Sequence, residues 1–181
     1  MRVSREREKL INAMVFFAKN THSCGKIKLF KLLYLLDFRH FAETGLSVTG
    51  LEYRAWKNGP VPRALYDEWD NPESEIRKAV QIKKEVAGNY VRQAVTAVAD
   101  FDDEHFTKRE LRLMSSLAEE FRHHTATPMV DTTHVADGAW AKVWAQPGDD
   151  NVIPYELAIP KEDPNRDEIL RTAEEYSRIR V

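Results

Sequence analysis

The residues best suited to chemistry are one cysteine and several histidines. Cys24 is the only cysteine among 181 residues, and His22 lies two residues before it. A thiol at a helix N-terminus can be a nucleophile because that position lowers its pKa, and Cys and His together can bind a metal. A metal site needs three or four converging ligands, and His22, Cys24, His123, His124 and His134 match no recognised ligand spacing. We expect Cys24 to be a small, half-buried residue and the histidines to cap helices or face water.

The acidic run Asp102, Asp103 and Glu104 is a second candidate, for a divalent cation. Consecutive carboxylates alternate in direction, so we interpret this run as a solvated linker. The sequence also has no glycine-rich phosphate loop, no G-x-S-x-G and no H-E-x-x-H motif. These absences predict a protein that is not an enzyme and has no cofactor or metal.

Composition and charge are those of an ordinary globular protein, with 43% hydrophobic and 31% charged residues. The net charge of −2 argues against a general attraction to nucleic acid. Residues 1–40, however, carry nine Lys or Arg against three Asp or Glu, while residues 146–181 carry five against nine. Two interpretations stay open: a solvated surface, or a basic face for DNA or an acidic partner.

The most apolar stretch, Ile27 to Phe41, contains five charged or histidine residues. A membrane-spanning helix needs about 20 mostly apolar residues, and the charged N-terminus is not followed by a signal-peptide pattern. With one cysteine, no intrachain disulfide can form. We expect a cytoplasmic location and no membrane partner.

Periodicity then predicts the elements that position these residues. A first helix runs from an N-cap at Ser4 to about Lys19, and a second runs from Lys26 to Glu43, stopped by Gly45. The second is apolar over more than half its circumference, which indicates a helix packed on several sides.

The segments that follow alternate between strand and helix signals. They predict a strand in 51–56, a turn at 58–60, a short helix from Pro62 to about residue 71, a hairpin in 81–94, a helix from a Thr107–Glu110 capping box to about His124, a helix opened by Thr127-Pro128, one over 139–145 and a C-terminal helix over 163–179. The predicted fold class is mainly α (α+β): one domain over residues 1–181, built around the central apolar helix, with a small β-hairpin.

Two motifs at a fixed spacing are more specific than any of these signals. The helical segment 28–35 reads KLFKLLYL, and after about twenty residues the segment 55–61 reads AWKNGPV, followed by Leu65-Tyr66. Together they resemble the SocA-like, or Panacea, antitoxin family over residues 26–144. In that family a His and then a Pro-Trp pair follow; here Ala139 replaces the proline. The matching residues are Lys28, Leu29, Lys31, Leu32, Leu33, Tyr34, Trp56, Gly59, Pro60, Val61, Tyr66, His134 and Trp140.

The resemblance implies an antitoxin that neutralises a cognate toxin, encoded nearby in a bacterial or phage genome, by direct protein binding. It also implies a second mode known in the family, delivery of the toxin to an ATP-dependent protease.

The physical chemistry of the same residues distinguishes those that form the core from those that could contact a partner. Leucines at helical spacing are usually core, whereas Lys28 and Lys31 either extend over apolar surface or meet an acidic partner. Exposed aromatic residues dominate many interfaces, and loop tips on rigid scaffolds commonly carry recognition. The candidate partner-binding residues are therefore Trp56, Lys57, Tyr66 and Trp69.

The alternative function is a DNA-binding regulator of its own operon. It rests on the cations Arg2, Arg5, Arg7 and Lys9 near the N-terminus. A hydrolase or nuclease is a third, weaker alternative, since no catalytic motif supports it.

Overall fold

The computed structural model describes residues 5–179, and helices form most of it. Helix α1 spans Glu6–Asn20 and helix α2 spans Lys26–Thr44. Both agree closely with the predicted helices, although Ser4, the expected N-cap of α1, lies outside the described residues. α2 ends where Gly45 adopts a left-handed conformation with φ 76° and donates its N–H to the Phe41 carbonyl.

The first hairpin follows α2. Strand β1 (Tyr53–Trp56) pairs antiparallel with strand β2 (Gly59–Pro62), so that Trp56 lies opposite Gly59. The sequence predicted β1 but only a turn in place of β2, because prolines lack the N–H that a ladder needs. Helix α3 (Arg63–Asp67) comes next, with Pro62 just before its first residue.

The second hairpin is longer and was predicted. After a short helix α4 (Ser74–Ala79), strand β3 (Val80–Ala87) pairs antiparallel with strand β4 (Tyr90–Ala97) through a two-residue loop. Gly88 in that loop has φ 64°, the left-handed conformation that this loop length favours.

Helix α5 (Lys108–Glu120) begins at the predicted capping box, with both reciprocal hydrogen bonds present between Thr107 and Glu110. It ends before the predicted His124, because the Arg122 N–H donates to the Glu119 carbonyl and the His124 N–H to the Phe121 carbonyl, three residues back, so the chain tightens into a turn.

Helix α6 (Ala126–Thr133) has Thr125 as its N-cap residue, so the predicted cap at Thr127 is wrong by two residues. Pro128 is tolerated in the first turn, where backbone N–H groups have no intrahelical acceptor.

The C-terminal part contains helix α7 (Ala139–Trp144), one 3-10 turn (Tyr155–Ala158) and helix α8 (Arg166–Ile179). α8 starts later than the predicted residue 163, because the Asp163 carboxylate accepts from the Asn165 N–H and forms a turn before the helix.

α2 lies at the centre of this arrangement. It contacts α1, α5, α6, α8, both hairpins and the 3-10 turn, and Leu32, Leu33 and Leu36 are completely buried. The mainly α class with small antiparallel sheets is therefore confirmed, and so is the central role of α2.

A buried carboxylate ties the first hairpin to α2. Asp37 is 0% exposed and accepts hydrogen bonds from the backbone N–H groups of Val48 and Thr49, the Thr49 hydroxyl and the Tyr53 hydroxyl. Burial raises the pKa of Asp37 to about 6, while the four donors act in the opposite direction. Asp37 was not among the residues that the sequence predicted to be important, because only the fold brings its four donors together.

Within residues 5–179, none of the helices combines the length and the apolar character that crossing a membrane requires.

Candidate interaction site

Lys31 is the residue around which the two sequence motifs meet. Its side chain leaves α2 inward, and its amine donates to the Pro60 carbonyl at 2.9 Å, with only 2% of the residue exposed. Burial lowers the pKa of Lys31 to about 7, because the charged form is poorly solvated there. The lysine therefore anchors the turn of the first hairpin to the central helix.

Gly59 provides the space for this contact. Its φ is +101°, and a Cβ on it would lie 2.8 Å from the Lys31 Nζ and 3.0 Å from the Thr133 Oγ1. Both the backbone conformation and the crowding disfavour any side chain here.

His134 and Trp140 close the site from α6 and α7. Their rings stack with centroids 3.7 Å apart and planes 3° from parallel, and the Trp140 indole N–H donates to the Trp56 carbonyl at 2.9 Å. Burial lowers the pKa of His134, and the nearby Lys31 amine lowers it further, which favours a neutral ring in the stack. We call the assembly of Lys31, Trp56, Gly59, Pro60, His134 and Trp140 the motif junction.

The other motif residues on α2 are structural. Leu29, Leu32, Leu33 and Tyr34 lie in the core, as does Val61 on β2. Lys28 points inward like Lys31, and its amine donates to the His22 carbonyl at 2.8 Å. Neither lysine extends over the surface or faces solvent, so both sequence-based interpretations of this pair are wrong.

The outer edge of the motif junction is exposed. Lys57 and Asn58 form the tip of the first hairpin, and Tyr66 is 39% exposed. Trp56 is half-buried, contacts Tyr66 edge to face at 4.7 Å, and donates its indole N–H to Asp150. We call Trp56, Lys57, Asn58 and Tyr66 the hairpin rim.

Trp69 does not belong to this rim. It is 2% exposed and packs edge-on against Phe30 at 5.0 Å, so its side chain is not accessible to a partner. The sequence reasoning instead overlooked Trp144, which is 41% exposed and stacks on Trp140 at 5.6 Å. The signal was the four-residue spacing of two tryptophans on one helix, which places both on the same face.

Comparison with known families gives one match. The model of the family described as antitoxin SocA-like, Panacea domain, matches residues 29–141. The chain belongs to this family. No curated protein and no solved structure showed a significant similarity to the chain.

The Panacea match confirms the resemblance seen in the sequence and supports an antitoxin role in general. It begins at Leu29, within α2, and ends at Ala141, within α7, so it contains the Lys31, Gly59 and His134 parts of the motif junction. Membership also supports a non-enzymatic role.

The candidate chemical groups of this Panacea protein do not converge on one site. His22 stacks on His123 at 4.9 Å, while His134 belongs to the motif junction. Cys24 is buried, and burial raises its pKa to about 11, the opposite of an activated thiol. In the described part of the chain, no three His, Cys, Asp or Glu side chains are grouped so that they could hold a metal ion.

The basic N-terminal segment is largely neutralised within the chain. Arg7 makes a bidentate ion pair with Glu68, and Lys9 pairs with the buried Glu110 at 2.7 Å. Arg5 pairs with Glu8, while Arg2 lies outside the described residues. Cations engaged in this way are poorly available to phosphates, so this segment gives DNA binding little support.

Proposed function

We propose that this protein is an antitoxin that neutralises a cognate toxin by direct binding, and that the toxin contacts the hairpin rim. The toxin is the product of a neighbouring gene, and the complex forms in the cytoplasm. Family membership supports the general role.

The observation that most supports the hairpin rim as the toxin contact is that it combines anchored aromatic side chains with an exposed cation. Trp56 on the first hairpin and Tyr66 on α3 present aromatic surface side by side, and Lys31 and Trp140 anchor the hairpin from behind. Lys57 adds an exposed cation, for which the structure shows no ion pair among residues 5–179. Rigid aromatic anchors bind with little loss of side-chain entropy, which is why such residues dominate interface energies.

Co-expression with the product of the adjacent open reading frame tests the general proposal. We expect that product to stop growth alone and this chain to restore growth. A neighbour that is harmless alone, or that stays lethal when this chain is present, would overturn the proposal.

Charge reversal at the hairpin rim tests whether the toxin contacts this surface. Lys57→Glu should weaken toxin binding about tenfold or more, as expected for a residue beside a hot spot. Lys108→Glu is the matched control, because Lys108 is also exposed but lies at the start of α5. Equal affinities of the two variants, measured by titration calorimetry, would place the contact elsewhere.

We further propose that occlusion, rather than delivery to a protease, neutralises the toxin. Purified antitoxin should then inhibit purified toxin without protease or ATP, and the toxin level in rescued cells should not fall. Rescue that requires an ATP-dependent protease and removes the toxin from cells would contradict this mode.

A further inference from the structure

Strand β3 has an edge that faces away from the rest of the second hairpin. Because the loop has two residues, Ala87 and Tyr90 form a hydrogen-bonded pair. Along an antiparallel ladder, hydrogen-bonded pairs alternate with pairs whose N–H and C=O groups point outwards. Ile82, Lys84 and Val86 therefore direct their N–H and C=O groups away from β4. The same alternation holds on β4, where the outward N–H of Val95 donates to the Cys24 carbonyl.

These outward groups of β3 have no acceptor or donor within residues 5–179. The first hairpin differs, since the outer edge of β1 is covered: the Ala55 N–H donates to the Asn151 carbonyl, and the Ile153 N–H donates to the Tyr53 carbonyl. An uncovered edge is a template on which another extended chain can pair.

The side chains beside this edge form a surface that can select an occupant. Ile82, Lys84 and Val86 share one face of the sheet, and Val86 is 81% exposed. An open groove of about 740 Å³ is lined by Ile82 and Lys84 together with Trp69 and Asp70. An added strand would direct alternate side chains towards this groove.

The charge of Lys84 argues for an acidic occupant. Lys84 is exposed and makes no ion pair in the described part of the chain. Antiparallel pairing of two copies centred on this residue would place Lys84 opposite itself, and like charges directly opposite destabilise a sheet. Lysines on edge strands are a known device against such self-pairing.

We propose that the β3 edge binds an extended acidic segment of a partner protein by antiparallel β-strand addition. The segment places a Glu or Asp opposite Lys84 and apolar residues opposite Ile82 and Val86. This contact is separate from the hairpin rim, and its test needs no toxin.

The test uses a seven-residue peptide of alternating threonine and valine with a central glutamate, and a second peptide with lysine in its place. Each is titrated to millimolar concentration into the full chain, followed by amide NMR and hydrogen exchange. We expect the glutamate peptide to bind about fivefold more tightly, the scale of one cross-strand charge pair. Exchange should slow at Ile82, Lys84 and Val86 and change little at Lys83 and Glu85, which already bond to β4.

Two charge variants identify the contact. Lys84→Glu should reverse the preference between the peptides, whereas Lys83→Glu, the same change on the opposite face of the strand, should retain it. Both sites are exposed, and melting curves check that both variants fold. The proposal is overturned if neither peptide binds, if Lys84→Glu does not change the preference, or if concentrated protein alone protects these amides through a second copy.

Discussion

The two hairpins are the same kind of element in opposite surroundings. The first has four-residue strands, and its turn is enclosed: Gly59 and Pro60 are buried against Lys31, and Trp140 binds the Trp56 carbonyl. The second has eight-residue strands, and a Cβ on Gly88 would meet nothing within 4 Å. Neighbouring elements therefore enclose the turn of the first hairpin. The turn of the second extends away from them, although the base of that hairpin packs on α1 and α2.

Removal of the Asp37 carboxylate should have the largest effect on stability, because Asp37 anchors the first hairpin to α2. Asp37→Ala leaves the donors of Val48, Thr49 and Tyr53 buried without an acceptor, so we expect the free energy of unfolding to fall by about 3–5 kcal/mol. Asp37→Asn keeps one acceptor oxygen and should cost less. Urea denaturation measures both, and similar small losses would show that this anchor is not needed.

The two hairpin glycines give a matched pair with the next largest effect. Gly59→Ala forces a Cβ against Lys31 in a left-handed conformation and should cost about 2–3 kcal/mol, whereas Gly88→Ala should cost only about 1 kcal/mol. The difference between their urea midpoints tests the contrast directly. Equal losses of stability in the two variants would show that the two turns are not held differently.

Lys31→Met should have a pH-dependent cost. At pH 9 the wild-type amine is neutral and bonded to the Pro60 carbonyl, so its loss should cost about 1–2 kcal/mol. The folded-state pKa of about 7 lies below the unfolded one, so the unfolded chain binds more protons between these values. Wild-type stability should therefore rise with pH from about 7 to 10 relative to Lys31→Met. Parallel pH profiles of unfolding for the two proteins would contradict the buried, uncharged amine.

The smallest effect is expected at the tip of the second hairpin. Val86→Thr keeps the β-branched shape of a side chain that is already exposed, so stability should change by no more than about 0.5 kcal/mol. Thermal melting beside wild type checks this. A loss comparable to that of Gly59→Ala would mean that Val86 packs against something in solution.

The sequence predicted correctly those features of the fold that depend on residues adjacent in the chain. The Thr107–Glu110 capping box, the Gly45 stop and the two-residue loop at Gly88 each depend on a few adjacent residues, and each was predicted in place. Helix α4 was missed because six residues with two buried side chains are too short for a periodic pattern.

The candidate site was only partly predictable, because the direction of a side chain depends on distant contacts. Lys31 was expected over the surface or against an acidic partner, and Trp69 was expected at the interface because aromatic residues dominate many interfaces. One instead donates to Pro60 and the other packs on Phe30. Lys57 was predicted at the exposed loop tip and Tyr66 was predicted as an aromatic contact, and both are exposed.

By itself the sequence determined that α2 is the centre of a mainly helical protein and that its motifs are those of a Panacea antitoxin, because periodicity and motif spacing are properties of the chain alone. Only the tertiary structure decided which motif residues are anchors and which form the rim. Hydrogen bonds such as Lys31 to Pro60 and Trp140 to Trp56 join residues 29 and 84 positions apart, and no local pattern encodes such a contact.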